Sequence, residues 1–242
     1  MVRNSLVPRH IENMSKHSKR YSTAKQKLTT ASAYPLIEGI VLVKVGPTKF
    51  DAGVELHIKL GIDQKKSDQV VRGSVQLPHG TGSTKRVIAF VGSNQEAEAS
   101  QAGADIIGTA EVIDEIKKTE KTDFDVAVAT PDMMKVIAPI ARILGQRGLM
   151  PNPKTDTVGP NVAEMVKAVK AGKINFKNDD GGNVHMLVGK VSFSEQQLQE
   201  NIQTVIDAIS KAKPSSAKGV FVRSVTLCSS MGPGIPVSVE VK

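Results

Sequence analysis

A two-domain α/β (α+β) fold is predicted by three features of this 242-residue chain. Segments of strict apolar–polar alternation, the mark of strands with one wet face, lie near both ends. Between them, continuous apolar runs alternate with helical stretches, as in a parallel sheet covered by helices. Neither group of alternating strands is large enough to make a stable sheet alone. The two ends are therefore expected to share one outer α+β sandwich, residues 28–79 with 172–242, and residues 80–171 to be inserted into it. Two polypeptide connections would then join the domains, which favours a hinge.

The elements follow in order. Residues 53–60, GVELHIKL, place Val54, Leu56, Ile58 and Leu60 on one face and Glu55, His57 and Lys59 on the other. After a polar link, VRGSVQLP (71–78) alternates again, with Val71, Val75 and Leu77 together. Two such strands joined by a loop suggest an antiparallel pair. At HGTGST (79–84) the pattern changes. RVIAFV (86–91) reads as a fully covered strand, NQEAEASQAGA (94–104) as a helix and DIIG (105–108) as a short strand. TAEVIDEIKKTE (109–120) reads as a Thr-capped helix, FDVAVAT (124–130) as a strand and PDMMKVIAPIARILG (131–145) as a helix with Pro in its first turn. Strand and helix thus alternate three times, the pattern of a Rossmann-like domain.

NVAEMVKAVKAG (161–172) is a further helix, ended by glycine. KINFKND (173–179) and NVHMLVGKVSF (183–193) flank Asp180-Gly181-Gly182, a hairpin signal. Residues 194–214 form a Ser-capped amphipathic helix with Leu198, Ile202, Val205, Ile206 and Ile209 as its stripe. GVFVRSVTLCSS (219–230) and IPVSVEVK (235–242) close the chain as strands.

Composition narrows the function. Aromatic residues make up only 3% of the chain, too few for a platform that stacks single-stranded bases. The single cysteine, Cys228, rules out an internal disulfide or a cysteine-rich zinc site and fits a reducing compartment. No apolar run is long enough to span a membrane. The net charge of +8 points to an anionic partner. Most of the excess lies in residues 1–27, a basic tail with seven Lys or Arg against one acid. The rest of the outer domain has fourteen cations against eleven acids, and the insert eleven against twelve, so the outer domain is the better candidate for a polyanion.

Enzyme motifs are missing. GTGSTK (80–85) lacks the spacing of a phosphate loop, and VGSNQE (91–96) lacks the glycines of a dinucleotide fold. His10, His17, His57, His79 and His185 show no metal-ligand spacing. Cys228 reads as a small packed residue. SSMGPG (229–234) is more informative: two hydroxyls, a Met and two glycines around a proline, between two strands. Glycines allow close backbone approach to a ligand, and hydroxyls and free N–H groups bond phosphate or a ribose 2′-OH. TKFDAG (48–53) sets a cation, Lys49, beside a flat ring, Phe50, ahead of a wet strand face.

GQRGLMPNPKTDTVG (145–159) is a helix-breaking connection with three glycines and two prolines around Leu149 and Met150. Its composition suits a compact cap of fixed shape anchored by those two side chains. Together with KLGIDQKKSDQVVRGSVQLPHGTG (59–82), FKNDDGGNVHMLVGKVSF (176–193), KPSSAKGVFVRSV (213–225), SSMGPG and the basic SKHSKRY (15–21), it closely resembles the bacterial-type ribosomal protein L-one family, over about residues 14–242.

That resemblance implies an outer domain with an inserted Rossmann-like domain. It also implies a cytoplasmic constituent of the large ribosomal subunit, with no enzymatic activity and no cofactor or metal. Such a protein binds a junction in large-subunit rRNA, forms the mobile stalk beside the exit site and helps deacylated tRNA leave. It represses its own messenger at a site mimicking the rRNA, and is a monomer off the ribosome. The matching RNA-binding positions here are Lys49, Phe50, Glu55, Lys177, Ser230, Met231 and Gly232. Recognition would be by shape, with 2′-OH contacts separating RNA from DNA.

Two other readings compete: a nucleotide-dependent enzyme using the insert, which dinucleotide titration would reveal, and an interaction scaffold without an RNA role, which gel shifts with rRNA fragments would separate. Met14 directly precedes the basic run, so translation is expected to start there, with residues 1–13 an upstream extension. The intact mass of the natural protein checks this; a mass that includes those residues overturns it.

Overall fold

The computed structural model describes residues 18–28, 33–45, 48–63 and 66–239. Most of the expected basic tail, Met14 included, and the last three residues of the final expected strand lie outside these. In chain order the first elements are α1 (Lys19–Gln26), β1 (Tyr34–Pro35), α2 (Leu36–Val43), β2 (Gly53–Leu60) and β3 (Arg72–Gln76). Next come β4 (Val87–Phe90), α3 (Glu96–Gln101), β5 (Ile106–Ile107), α4 (Ala110–Thr119), β6 (Val126–Ala129), α5 (Met133–Ile137), α6 (Ala141–Gln146) and α7 (Val162–Lys170). The chain closes with β7 (Lys173–Lys177), β8 (Asn183–Lys190), α8 (Glu195–Lys211), β9 (Val222–Ser229) and β10 (Ile235–Ser238). Part of the expected tail is thus the helix α1, with Ser18 accepting from the Tyr21 amide at its N-cap.

Strands from both ends share one sheet, in the order β1-β10-β9-β2-β8. β2 is antiparallel to β8 on one side and to β9 on the other. Its alternation holds: Val54, Leu56, Ile58 and Leu60 are buried, and the residues between them face outward. The buried face packs against α8, whose Leu198, Ile202, Val205, Ile206 and Ile209 are at most 1% exposed. Each such side chain contributes about 1.5–3 kcal/mol as an upper estimate. A capping box starts α8: Ser194 accepts from the Gln197 amide, and the Gln197 side chain accepts from the Ser194 amide.

Two local pairings expected from the sequence do not form. β2 does not pair with β3, and the Asp180-Gly181-Gly182 turn does not join a hairpin, because β7 pairs with β3 in a separate two-stranded sheet. Adjacent alternating strands satisfy a hairpin pattern, but burying their apolar faces here requires distant partners.

The third sheet is parallel, in the order β5-β4-β6. Every residue of β4 is buried. One face packs Ile88 and Phe90 with Ile113, Ile116, Ile137 and Leu144; the other packs Val87 and Ala89 with Val162, Val166 and Val169. Instead of the single helix expected over 131–145 there are two, α5 and α6, separated by a tighter turn at Ala138–Ile140. Pro139 lacks an N–H and its ring crowds the preceding turn, which removes an α-helical hydrogen bond and favours the break seen here. Thr109 precedes α4 but makes no side-chain cap bond.

The 145–159 connection is held as a cap by its own polar groups. Leu149 and Met150 pack on the Ile88–Phe90 core. The buried Thr157 hydroxyl accepts from the Asn152 amide at 2.8 Å, the Asn152 side chain accepts from the Lys154 amide at 2.8 Å, and Val158 bridges to Ala129 at the edge of β6. Arg147 is used structurally, its guanidinium donating to Thr122 Oγ1 at 2.5 Å and the Glu120 carbonyl at 2.7 Å. Asp156, in the left-handed region, accepts from Lys173 Nζ at 3.0 Å and Ser74 Oγ at 3.2 Å, tying the cap to β7 and β3. The Lys173 hydrogen bond is the main reason its carboxyl is held below the usual range.

The two connections between the outer strands and the parallel unit run against each other at Gly80 and Gly172. A Cβ on Gly172 would stand 2.5 Å from Gly80 Cα, and Gly172 has φ +99°. Buried Asn201 clasps the first connection: it accepts from the His79 amide at 3.2 Å and donates to the Gly80 carbonyl at 3.0 Å and the Val188 carbonyl at 2.8 Å. Gly172→Ala meets both a disfavoured backbone conformation and a main-chain clash. It is expected to cost more than about 1–3 kcal/mol, measured as a lowered urea midpoint against the parent; an unchanged midpoint would contradict the crossing.

Candidate nucleic-acid interface

The corner between β9 and β10 folds back on the start of β2. Ser230 donates its amide to the Gly53 carbonyl at 3.0 Å, and its hydroxyl lies 3.3 Å from the same oxygen and 3.2 Å from Glu55 Oε1. Gly53 permits this approach, since a Cβ there would sit 2.6 Å from Leu187 Cδ1 and 3.1 Å from Ser230 Oγ. The Gly232 amide donates to the Ser229 carbonyl at 2.8 Å and closes the turn. A side chain at Gly232 would strike Ser229 Oγ at 2.2 Å. Met231 is left 57% exposed at the tip, and Phe50, in the loop entering β2, 54% exposed, with Lys49 exposed beside it.

The structure therefore joins Ser230, Met231, Gly232 and Glu55 at one end of the outer sheet, and leads Lys49 and Phe50 into the same strand. It does not join Lys177 to them by a hydrogen bond or ion pair among the described residues. Lys177 is exposed on β7, opposite Arg72 of β3.

Sequence reasoning missed Arg20. It was counted in the tail, but α1 lies against the corner, and the Arg20 guanidinium donates to the Met231 carbonyl at 3.0 Å. The residues facing His57 were missed as well. Its alternation with Glu55 and Lys59 is legible, but its partners come from β8 and β9. His57 stands opposite His185, and their Nδ1 atoms are 2.7 Å apart; His57 Nε2 is 3.0 Å from Cys228 Sγ and 3.7 Å from Glu55 Oε2. Cys228 is half-buried on this face rather than packed in the core. Burial, then the Glu55 charge, raises its thiol pKa; burial, then His185, lowers that of His57, against the Glu55 charge.

His185 Nε2 is 3.3 Å from Asp179 Oδ2. Asp179 also accepts from the Gly181 amide at 2.9 Å, and from the Asn183 amide at 2.7 Å and side chain at 3.0 Å. These bonds, those from Asn183 first, hold its carboxyl far below the usual range.

The crevice at the carboxyl ends of β4 and β6 is where a Rossmann-like sheet would hold a nucleotide. It measures about 410 Å³ and is lined by Gly92, Asn94, Gln95, Thr130, Asp132 and Met133 among others. Its charged lining is a carboxylate with no cation, which disfavours phosphate.

The sequence model of the Ribosomal protein L1p/L10e family matches residues 42–233. The chain belongs to this family. Among its relatives, large ribosomal subunit protein uL1 of Kosmotoga olearia is 51% identical over 223 residues, 92% of this chain and 96% of the relative. The proteins of the same name from Salinispora tropica and Corynebacterium glutamicum are 50% and 48% identical, over 93% and 94% of this chain and 94% and 97% of their own lengths. Membership makes the chain a constituent of the large ribosomal subunit and not an enzyme. Among the described residues no helix is long and apolar enough to cross a membrane.

Asp179 provides a pH prediction. Its folded pKa is depressed, so its contribution is present above the unfolded value of about 3.9 and fades as pH falls below it. Asp179→Asn is expected to lower the melting temperature at pH 7, with the gap narrowing below about pH 4; a gap constant between pH 7 and pH 3 would refute the ionic role.

Proposed function

We propose that the end of the outer sheet formed by Lys49, Phe50, Glu55, Ser230, Met231 and Gly232 binds large-subunit rRNA, with Lys177 adding a phosphate contact from β7. The observation that carries this reading is the corner itself. Its hydrogen bonds fix the backbone while Met231 and Phe50 stay exposed. A preformed loop of this kind suits recognition of folded RNA by shape, because little ordering entropy is lost on binding. Arg20, anchored to Met231, adds a cation to the same edge.

On this reading the bound protein forms the mobile stalk of the large subunit in the cytoplasm, contacts exit-site tRNA and assists its release. Off the ribosome it is a monomer and represses its own messenger through the same surface. The outer domain spans residues 28–79 and 172–242 behind a basic segment of residues 1–27, and residues 80–171 are an insert joined to it through the Gly80 and Gly172 crossings.

The test is a gel shift with a large-subunit rRNA fragment. Met231→Ala is expected to bind about tenfold more weakly, a loss of ~1.4 kcal/mol, while melting like the parent. A variant with residues 80–171 replaced by a short linker is expected to keep its affinity. Unchanged binding by a folded Met231→Ala removes that residue from the interface, and loss of binding by a folded deletion variant moves the interface to the insert.

A further inference from the structure

On the outward face of β2 and β9, Glu55, His57 and Cys228 each offer one ligand atom, all within 4.8 Å of one another. We propose that Glu55 Oε2, His57 Nε2 and Cys228 Sγ form a binding site for a zinc-class divalent cation, with water in the fourth position. The donor set is right for that class: one thiolate, one imidazole nitrogen and one carboxylate oxygen, with an open position toward solvent.

The hydrogen-bond chain behind His57 admits the tautomers the site needs. A His185 ring that donates from Nε2 to Asp179 Oδ2 turns its Nδ1 lone pair toward His57. In that arrangement His57 donates from Nδ1 to His185 and turns its Nε2 lone pair toward Cys228 and Glu55. A carboxylate–imidazole relay behind a ligating histidine is the outer shell that metal sites use to orient the ring and raise its basicity. Without a cation, Cys228 Sγ and His57 Nε2 stand 3.0 Å apart, a separation at which a thiol S–H can fill the His57 lone pair. Binding breaks that S–H bond, forms a metal–sulfur bond and releases the proton to solvent.

The required movement is small. Tetrahedral zinc places ligand nitrogen and sulfur about 3.5 Å apart, and nitrogen and oxygen about 3.4 Å apart. Two of the observed separations are 3.0 Å and 3.7 Å, and the sulfur–oxygen pair lies within 4.8 Å against about 3.5 Å for tetrahedral zinc, so side-chain movements of no more than about 1.3 Å close the site. Glu55 can reach the cation with Oε2 while Oε1 stays with Ser230. The site stands whether or not the neighbouring corner binds RNA.

The test uses the full chain without RNA, stripped of metal, kept reduced and titrated with Co²⁺ as a spectroscopic stand-in for Zn²⁺. One equivalent is expected to bind with a thiolate-to-cobalt charge-transfer band that Zn²⁺ then displaces. With Cys228 the chain's single cysteine, that band reports only this site and not the remaining histidines. Cys228→Ser and His57→Gln are each expected to abolish the band, and His185→Gln to weaken Zn²⁺ binding 10–100-fold. Absence of the band in the parent at stoichiometric Co²⁺ overturns the proposal, as does parental Zn²⁺ affinity in Cys228→Ser. Should a variant misfold, the parent decides alone: Zn²⁺ must slow alkylation of Cys228 at least tenfold, and an unchanged rate rejects the site.

Discussion

The position of β2 between β8 and β9 is the constraint on which the rest of the molecule depends. A strand from the first quarter of the chain is hydrogen-bonded on both edges to strands from the last quarter. This burial drives Val54, Leu56, Ile58 and Leu60 against α8 and forces Glu55, His57 and Lys59 outward in the same register. A slip by one residue would exchange the two sets and put three polar side chains into the core. The Ser230 corner, the His57–His185 pair and the Glu55–Cys228 approach all follow from that one register.

Closing a sheet from both ends of the chain leaves the middle as an excursion with two crossings. The crossings meet where Gly172 has no room for a side chain against Gly80, and Asn201 uses its amide to hold the first of them to β8. A buried Asn is costly unless satisfied, and this one bonds three backbone groups. The 145–159 cap reaches back across the crossings through Asp156 to Lys173 and Ser74. Its cohesion is internal: the Asn152–Thr157 bonds and the Leu149 and Met150 anchors hold its shape, and the exposed Asp156 ion pair adds little energy of its own.

Glu55 connects the two chemistries of the outer face. One carboxylate oxygen meets the Ser230 hydroxyl at the corner, the other faces His57 beside Cys228. A carboxylate on the surface proposed for RNA repels phosphate unless it is engaged, and here the Ser230 hydroxyl lies within hydrogen-bond distance of one of its oxygens. On the proposed reading, exposed Phe50 and Met231 would supply contact area free of charge repulsion, while Arg20 and Lys49 would supply attraction.

Period-two alternation showed which side of each outer strand is buried, and it held at every position of β2, because that pattern is a local consequence of the pleat. The continuous apolar run at 87–90, the Ser194 cap and the Gly172 stop were legible for the same reason: each depends on a few neighbouring residues. Strand partners were not legible. The 53–60 and 71–78 segments, and the two around Asp180-Gly181-Gly182, satisfy a hairpin pattern equally well, and only burial of the whole apolar surface selects β8 and β9 for β2 and β7 for β3. The corner was visible as SSMGPG because its chemistry is contiguous. The Glu55–His57–Cys228 group was not, since Cys228 lies 171 residues from His57 in the chain and meets it only through the β2–β9 ladder. The sequence by itself determined the faces of the strands, the family and the corner; tertiary structure decided the neighbours, because antiparallel pairing is a choice among distant partners that no local pattern encodes.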